Sequence, residues 1–391
     1  MHRTYVVGAA RTPVGSFSKS FRDCSALDLG VAAVVEAMER AGVDKTGVDE
    51  VIMGNVLSSG LGQNPARQIA VGAGIGTEVP SFTVNKVCGS GLKAVALGAQ
   101  SIMLGGANII CAGGTENMSR APYLLDTARW GSQMGHVKMK DAMLLDGLWC
   151  SLEDTHMGLT AENIASTYEI SRQQQDEYAL NSHQRAVRAI DDGVFAEEIV
   201  PVVVPGRDAR VVDTDEHPRR DTSLEKLAQL PPVFKRDGTV TAGNASGIND
   251  GAAAVVLASE QAVREMDLKP TAEIVRFASV GVEPGLMGTA PITAISNLLR
   301  QAGLESDAID VFEINEAFAV QTICVLRELG LNADRVNVNG GGIALGHPIG
   351  ATGARILVTL LYQMQRQKSH LGVASLCIGG GQGIAMLVRR E

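Results

Sequence analysis

Short apolar runs alternate with amphipathic segments along most of the chain. Two segments, 31–40 and 292–301, repeat apolar residues at helical spacing. Four short runs are typical of buried strands and lie at 81–84, 108–110, 311–314 and 373–376. Strands that alternate with helices predict crossover connections, and therefore a layered α/β fold.

The pattern repeats within the chain. Three segments have a similar partner later in the sequence: 41–49 resembles 302–310, 90–93 resembles 352–355, and 111–114 resembles 377–380. In the first pair a helical segment precedes the match and a short strand follows it. The second pair opens a helix and the third follows a strand-like run. Three matches in the same order indicate a duplicated α/β unit.

A segment of different composition separates the two copies. This segment contains a charge-rich helical stretch at 171–191 and a proline-rich passage at 201–232. Small and apolar residues, typical of the first copy, dominate again at 242–257. The sequence therefore predicts three parts, namely an N-terminal half of 1–118 plus 242–268, an inserted loop domain of 119–241, and a C-terminal half of 269–391.

Composition excludes several classes of protein. The chain has 391 residues, of which 44 are glycine and 45% are hydrophobic, so disordered and collagen-like classes are out. A net charge of −9 argues against nucleic acid or an anionic membrane as partner. Six scattered cysteines lack zinc spacing and a disulfide pattern. With a strand-like run already at 5–7 and no apolar run of about 18 residues, we expect no signal peptide, no membrane span and a cytoplasmic location.

Cys88 lies where a predicted strand meets the start of a helix, in the segment NKVCGSGL. The glycines after it allow a sharp turn, and the N–H groups of a helix N-terminus lower a thiol pKa and favour the thiolate. A free cysteine is more commonly a small buried apolar residue. Both interpretations stay open on position alone.

Three further polar sites lie in irregular surroundings. Cys377 precedes three glycines whose N–H groups suit a ligand or an oxyanion, although a plain turn between strands has the same pattern. His347, between a glycine and a proline, suits proton transfer with a thiol or a hydrogen bond within its loop. Asn315 and Glu316 follow the strand at 311–314, where burial alone would also demand partners.

Together these segments resemble the thiolase family. The resemblance rests on Cys88 in NxxCGSG, NEAF at 315–318, GHPIG at 346–350 and CxGGG at 377–381, and it extends over essentially the whole chain. It implies a duplicated thiolase-type layered fold, αβαβα, with the inserted loop domain over the active site.

The resemblance also implies roles for individual residues. Cys88 would be the nucleophile that takes an acyl group from a thioester, and His347 would accept its proton. Cys377 would be the acid or base at the methyl carbon of a second acetyl-CoA. Asn315 would hold a water that forms one oxyanion hole with His347, and the backbone N–H groups of Cys88 and Gly379 would form the other.

These roles imply acetyl-CoA C-acetyltransferase activity, a reversible Claisen condensation of two acetyl-CoA to acetoacetyl-CoA and CoA with ping-pong kinetics. Coenzyme A thioesters would be substrates, with no permanently bound cofactor and no metal. Residues 123–140 resemble the tetramerisation loop of short-chain members, which implies a homotetramer. The positions that contact coenzyme A in those members correspond to Leu148, His156, Met157, Arg219, Phe234, Ser246, Met287 and Phe318.

Two alternative functions remain at this point. One is a degradative 3-ketoacyl-CoA thiolase of fatty-acid β-oxidation, which cleaves longer chains, although His156 and Met157 favour short substrates. The other is a non-catalytic acyl-CoA or lipid carrier that keeps the fold. Loss of a catalytic residue would favour the carrier, and all four are present.

Overall fold

The computed structural model describes residues 2–205 and 209–390. Helices cover a mixed β-sheet of ten strands. The strands are β1 (Thr4–Arg11), β2 (Gly15–Ser16), β3 (Glu50–Gly54), β4 (Ser81–Val84), β5 (Ile109–Asn117), β6 (Tyr123–Leu124), β7 (Lys140–Asp141), β8 (Trp149–Cys150), β9 (Thr155–His156), β10 (Val202–Val204), β11 (Arg210–Val212), β12 (Asn249–Ser259), β13 (Ala272–Gly281), β14 (Val311–Ile314), β15 (Leu371–Ile378) and β16 (Gln382–Arg389). The helices are α1 (Ala26–Ala41), α2 (Pro65–Gly72), α3 (Ser90–Met103), α4 (Met157–Thr167), α5 (Arg172–Asp191), α6 (Leu224–Ala228), α7 (Glu260–Glu265), α8 (Ala290–Ala302), α9 (Ala319–Leu329), α10 (Gly342–Leu345) and α11 (Ile349–Gln367).

The sheet consists of two halves. Its order is β14-β15-β16-β13-β1-β12-β5-β3-β4, with β2 beside β12. β3 is parallel to β4 and β5, and β14 is parallel to β15, whereas the other neighbours are antiparallel. The halves meet where β1 pairs with β13 at only two positions, Tyr5–Glu273 and Val6–Ala272. Among the described residues, only these two residue pairs therefore join the two halves of the sheet.

Both faces of each half are buried, which gives five layers. Along β12, Ala253, Val255 and Leu257 face a central core, whereas Ala254 and Val256 belong to a separate core beneath α1. This alternation follows from the two-residue period of a strand. The central core holds α3 and α11, and a third core lies beneath α8 on the opposite side. The order is helix, sheet, helix, sheet, helix, and the layered α/β prediction is confirmed.

Matched residues of the two copies make the same contacts. Asp49 accepts hydrogen bonds from the backbone N–H groups of residues 108 and 109, at 2.7 and 2.9 Å. Asp310 accepts the equivalent pair from residues 370 and 371, at the same two distances. Each carboxylate satisfies the N–H groups where a central strand begins. This shared arrangement is the structural counterpart of the sequence repeat.

Two matched glycines allow the central helices to touch. A Cβ on Gly91 of α3 would lie 2.7 Å from the backbone nitrogen of Ala354, and a Cβ on Gly353 of α11 would collide with the backbone nitrogen of Leu92. Any larger residue would force the helices apart. The close crossing brings the N-termini of α3 and α11 to one place in the central layer.

Element boundaries differ from the sequence prediction in two places. β5 continues through Gly113 and Gly114 to Asn117 instead of ending near residue 110. These two glycines pair with β12 as part of the sheet. α11 begins at Ile349 rather than at 352, since Pro348 supplies the N-terminal boundary. The division into two halves and a loop domain stays a prediction. Over residues 2–205 and 209–390, no helix is both long enough and apolar enough to cross a membrane.

Candidate active site

Cys88, His347 and Cys377 line one cavity of about 680 Å³. Cys88 follows β4 and precedes α3, His347 lies between α10 and α11, and Cys377 lies near the end of β15. Asn315 follows β14 directly, beside the histidine. The cavity thus lies at the carboxyl ends of parallel strands, where open α/β sheets place their ligand sites.

The turn that carries Cys88 is held by side chains on both sides. Val87 has a positive φ of 45°, which is strained for a β-branched residue. Its N–H donates to Asn85 Oδ1 at 3.0 Å, and its carbonyl accepts from the hydroxyl of Ser90 at 2.6 Å. Ser90 also accepts from the N–H of Lys86 at 2.8 Å. The thiol is therefore fixed at the N-terminus of α3.

The Cys88 thiol is neutral in the resting site. Burial raises its pKa to about 11, and the carboxylate of Glu116 acts in the same direction. The backbone N–H groups of Gly379 and of Cys88 itself lower the pKa, but by less. The expected lowering by the N–H groups is present, but desolvation outweighs it, so the pKa is raised overall and the expectation that the thiolate is favoured is wrong.

His347 is a buried, neutral imidazole. Burial lowers its pKa to about 3, and the positive charge of Arg355 contributes. Its Nδ1 lies 2.7 Å from Oγ1 of Thr352, and its Nε2 lies 3.4 Å from Nδ2 of Asn315. Cys377 is also neutral, because burial and then the neighbouring Cys88 raise its pKa well above the ordinary value.

Gly379 forms the turn between β15 and β16 and faces both the thiol of Cys88 and the start of α4. A Cβ at this position would collide with the terminal methyl group of Met157 and lie 3.4 Å from Val87. The next two residues, Gly380 and Gly381, have φ angles of 82° and 78°. The glycine run is thus both a tight turn between strands and a close approach to the cavity.

All eight positions expected to contact coenzyme A line the same cavity. His156 stacks on Phe234 with ring centroids 4.6 Å apart, and Phe234 meets Phe318 edge to face at 6.4 Å. The N–H of Ser246 donates to the carbonyl of Ala317 at 2.9 Å, next to this aromatic wall. The remaining four positions, Leu148, Met157, Arg219 and Met287, complete this part of the lining.

Two buried carboxylates hold neighbouring segments of the site together through hydrogen bonds. The sequence analysis assigned neither of them a role in the site. Glu116 accepts from the N–H groups of Val56, Leu57 and Gly350 at 2.9–3.1 Å. Glu316 accepts from Tyr178, Ser182 and Asn337 side chains and from the N–H of Ile343. The signal in the sequence was a charged residue inside an apolar segment, which needs partners when buried.

The cavity mouth also contains residues without a sequence signal. Lys19, Glu216 and His217 lie there beside Arg219, whose N–H donates to Nδ1 of His183 at 3.1 Å. These residues come from loops that carry no motif or periodicity. In the described ranges, no group of three or more His, Cys, Asp or Glu side chains is arranged to hold a metal ion.

The arrangement has the parts required for acyl transfer to sulfur. A buried thiol lies with an imidazole able to accept a proton, a second thiol and backbone N–H groups directed at the first sulfur. Apolar side chains dominate the surrounding wall, which suits an extended thioester arm.

Comparison with known proteins gives the same result along the whole chain. The family model for the thiolase N-terminal domain matches residues 4–261, and the model for the thiolase C-terminal domain matches residues 268–390. The acetyl-CoA acetyltransferase of Escherichia coli is 54% identical, and that of Pseudomonas aeruginosa is 52% identical, each over 100% of both chains. The crystal structure of the Bacillus anthracis acetyl-CoA acetyltransferase superposes with a TM-score of 0.98 at 43% identity, covering 100% of this chain and 99% of that one. The resemblance seen in the motifs is confirmed, and the chain belongs to the thiolase family.

Proposed function

We propose that the protein is an acetyl-CoA C-acetyltransferase, which condenses two acetyl-CoA reversibly to acetoacetyl-CoA and CoA. The observation that carries this proposal is the single cavity lined by Cys88, His347 and Cys377 together with the eight coenzyme A positions. The bacterial relatives that bear this name support it, since they match over the full length. The enzyme is an acyltransferase of fatty-acid metabolism, and its six cysteines are free, as suits the cytoplasm.

The first half-reaction transfers the acetyl group to Cys88. Its sulfur attacks the thioester carbonyl while its proton passes to Nε2 of His347, and the N–H groups of Cys88 and Gly379 stabilise the oxyanion. The bond between the acetyl carbon and the CoA sulfur breaks, and Cys377 gives its proton to that sulfur. CoA leaves as a thiol. Acetyl-Cys88, a Cys377 thiolate and a His347 imidazolium remain, so the two charges compensate.

The second half-reaction forms the carbon–carbon bond. The Cys377 thiolate removes a proton from the methyl group of a second acetyl-CoA. The enolate oxygen is stabilised by Nε2–H of His347 and by a water held on the side chain of Asn315, whose Oδ1 is buried without a hydrogen-bond partner among the described residues. The enolate carbon attacks acetyl-Cys88, its C–S bond breaks, and His347 returns the proton to the sulfur.

Substitution of the two cysteines tests the mechanism. Cys88→Ala abolishes acetylation by acetyl-CoA, whereas Cys377→Ala still becomes acetylated, more slowly because CoA then leaves without the Cys377 proton, and does not condense. Cys324→Ala is the matched control, because Cys324 is buried outside the cavity. Mass spectrometry of the intact protein and of its peptides measures the acetyl group. An acetylated Cys88→Ala variant would refute the assignment.

Substrate length separates the proposal from a degradative thiolase for longer chains. The large side chains of Met157, Met287 and Phe318 line the cavity and pack together in one buried cluster, a wall that favours a short acyl group. Thiolysis of acetoacetyl-CoA should therefore be much faster than thiolysis of a C8–C16 series of ketoacyl-CoA. A preference for the long substrates would establish the degradative alternative instead.

The homotetramer is proposed from the arm at 123–140, where β6 pairs with β7. Trp130, Met134 and Met139 are 80%, 99% and 65% exposed, an apolar surface that suits burial against another subunit. A Trp130→Ser, Met134→Asp double variant should sediment as a smaller species than the wild type. Val203→Asp, at another exposed apolar position, is the control. A double variant that keeps the wild-type mass contradicts a role for the arm.

A further inference from the structure

We propose that Thr352 is a positioning residue that fixes the tautomer of His347, keeping the ring proton on Nδ1 and the lone pair on Nε2. The inference rests on the proposed function, in which Nε2 accepts the proton of Cys88. Thr352 would then be a third member beside the nucleophile Cys88 and the base His347. A catalytic base is commonly oriented by such a third group. Thr352 lies in the first turn of α11 and does not line the cavity.

The hydrogen bonds of the Thr352 hydroxyl determine the direction of the contact. Oγ1 lies 2.8 Å from the carbonyl oxygen of Pro348, which can only accept. A hydroxyl has a single hydrogen, so this bond uses it. Oγ1 therefore accepts at its other contact, the 2.7 Å contact with Nδ1 of His347. Nδ1 must then carry a hydrogen.

The other side of the ring agrees with this assignment. Nε2 of His347 faces the side-chain amide nitrogen of Asn315 at 3.4 Å, and that nitrogen is a donor. A hydrogen on Nε2 would place two donors against each other, whereas a lone pair accepts from Asn315. The backbone N–H of His347 is held separately by Oδ1 of Asn249 at 2.9 Å, so the ring is anchored at the main chain as well.

A fixed tautomer matters because the ring is neutral before the reaction. Burial and the charge of Arg355 keep His347 unprotonated, so a single hydrogen is shared between two ring nitrogens. With that hydrogen on Nε2, the imidazole could not accept the Cys88 proton. The hydroxyl of Thr352 thus keeps the base in its active form during every turnover.

Two variants at one position isolate the hydroxyl. Thr352→Val keeps the shape of the side chain and removes the acceptor, whereas Thr352→Ser keeps the acceptor and removes a methyl group. Both leave the Pro348 carbonyl with the N–H groups of Ala351 and residue 352, each at 2.9 Å. We expect Thr352→Val to lower the rate of Cys88 acetylation on the order of tenfold at unchanged KM for acetyl-CoA. Thr352→Ser should stay within about twofold of wild type.

Nitrogen NMR of the wild-type protein measures the tautomer directly. In ¹⁵N-histidine-labelled enzyme, the His347 signals are those lost in His347→Asn. We expect a protonated Nδ1 and an unprotonated Nε2 in the wild type and in Thr352→Ser, and a mixture or the reverse in Thr352→Val. A wild-type spectrum with the hydrogen on Nε2 overturns the inference, even if Thr352→Val does not fold. Undiminished acetylation of Cys88 in His347→Asn would instead overturn the proposed role of His347 as the base and leave the tautomer result standing, whereas absent acetylation of the wild type would overturn the proposed function.

Discussion

The terminal methyl group of Met157 occupies the space that a side chain on Gly379 would need. Met157 begins α4 in the segment between the two copies, and Gly379 follows β15 in the C-terminal half. The N–H of the same glycine also reaches the sulfur of Cys88. One glycine therefore joins the wall of the substrate cavity to the proposed oxyanion hole.

Gly379→Ala should reduce acetylation of Cys88 about 100-fold, because the added Cβ displaces either Met157 or the N–H that faces the acyl oxygen. The rate is measured by rapid quenching and mass spectrometry with acetyl-CoA. Gly281→Ala is the control, since a Cβ there meets only one atom, at 3.9 Å. A Gly379→Ala variant with the acetylation rate of wild type would show that the glycine does not form the oxyanion hole.

The reactivity of Cys88 toward iodoacetamide should rise with pH and show no plateau near neutrality. A thiol of pKa about 11 beside a neutral His347 gains thiolate about tenfold per pH unit up to that pKa. The alkylation rate, followed for the Cys88 peptide by mass spectrometry between about pH 6 and 10, measures this directly. A plateau that begins near pH 6 or 7 would mean that the resting site holds a thiolate–imidazolium pair instead.

A buried ion pair joins β1 to the loop between β11 and α6, and its loss should destabilise the protein. Arg11, fully buried, donates to both carboxylate oxygens of Asp215 at 2.8 and 2.9 Å. Asp215→Asn leaves the guanidinium undercompensated and should lower the free energy of unfolding by about 3 kcal/mol. Urea denaturation at fixed protein concentration measures the change.

An exposed pair of the same type provides the control. Arg220 donates to both oxygens of Asp191 at 3.0 and 2.7 Å on the surface, where solvent screens the charges. Asp191→Asn should therefore leave the urea midpoint unchanged. Equal effects of the two substitutions would mean that burial does not decide the strength of the Arg11 pair.

The sequence predicted the parts of the fold that depend on local periodicity. The strands at 81–84 and 311–314 have the predicted bounds, and the helix predicted at 171–191 begins one residue later, after its cap Ser171. The repeat was visible because contacts such as those of Asp49 and Asp310 require the same residue in both copies. The motifs then predicted that residues distant in sequence, such as Cys88 and Cys377, belong to one active site.

The electrostatics of the site could not be predicted in the same way. The position of Cys88 at a helix N-terminus is local, but its raised pKa comes from desolvation by residues far away in sequence. The contacts of Glu116 depend on a loop after β3 and on the start of α11, which no local pattern relates. The hydrogen bonds of Glu116 therefore cannot be predicted from the local sequence.

Buried histidines should make the protein less stable in acid. The pKa of His183 falls to about 3 and that of His217 to about 4, in both cases chiefly through burial, against an ordinary value of 6.5. Below about pH 6.5 the unfolded chain binds protons at these side chains and the folded chain does not, so stability falls as the pH drops toward 4. At pH 5 the buried His183 should cost about 2 kcal/mol relative to pH 8. His183→Asn keeps an acceptor for the N–H of Arg219 and should remove that share of the loss, measured by urea denaturation at the two pH values. The exposed His136→Asn should keep the full wild-type loss, and a His183→Asn variant that also keeps it would contradict the buried, neutral histidine.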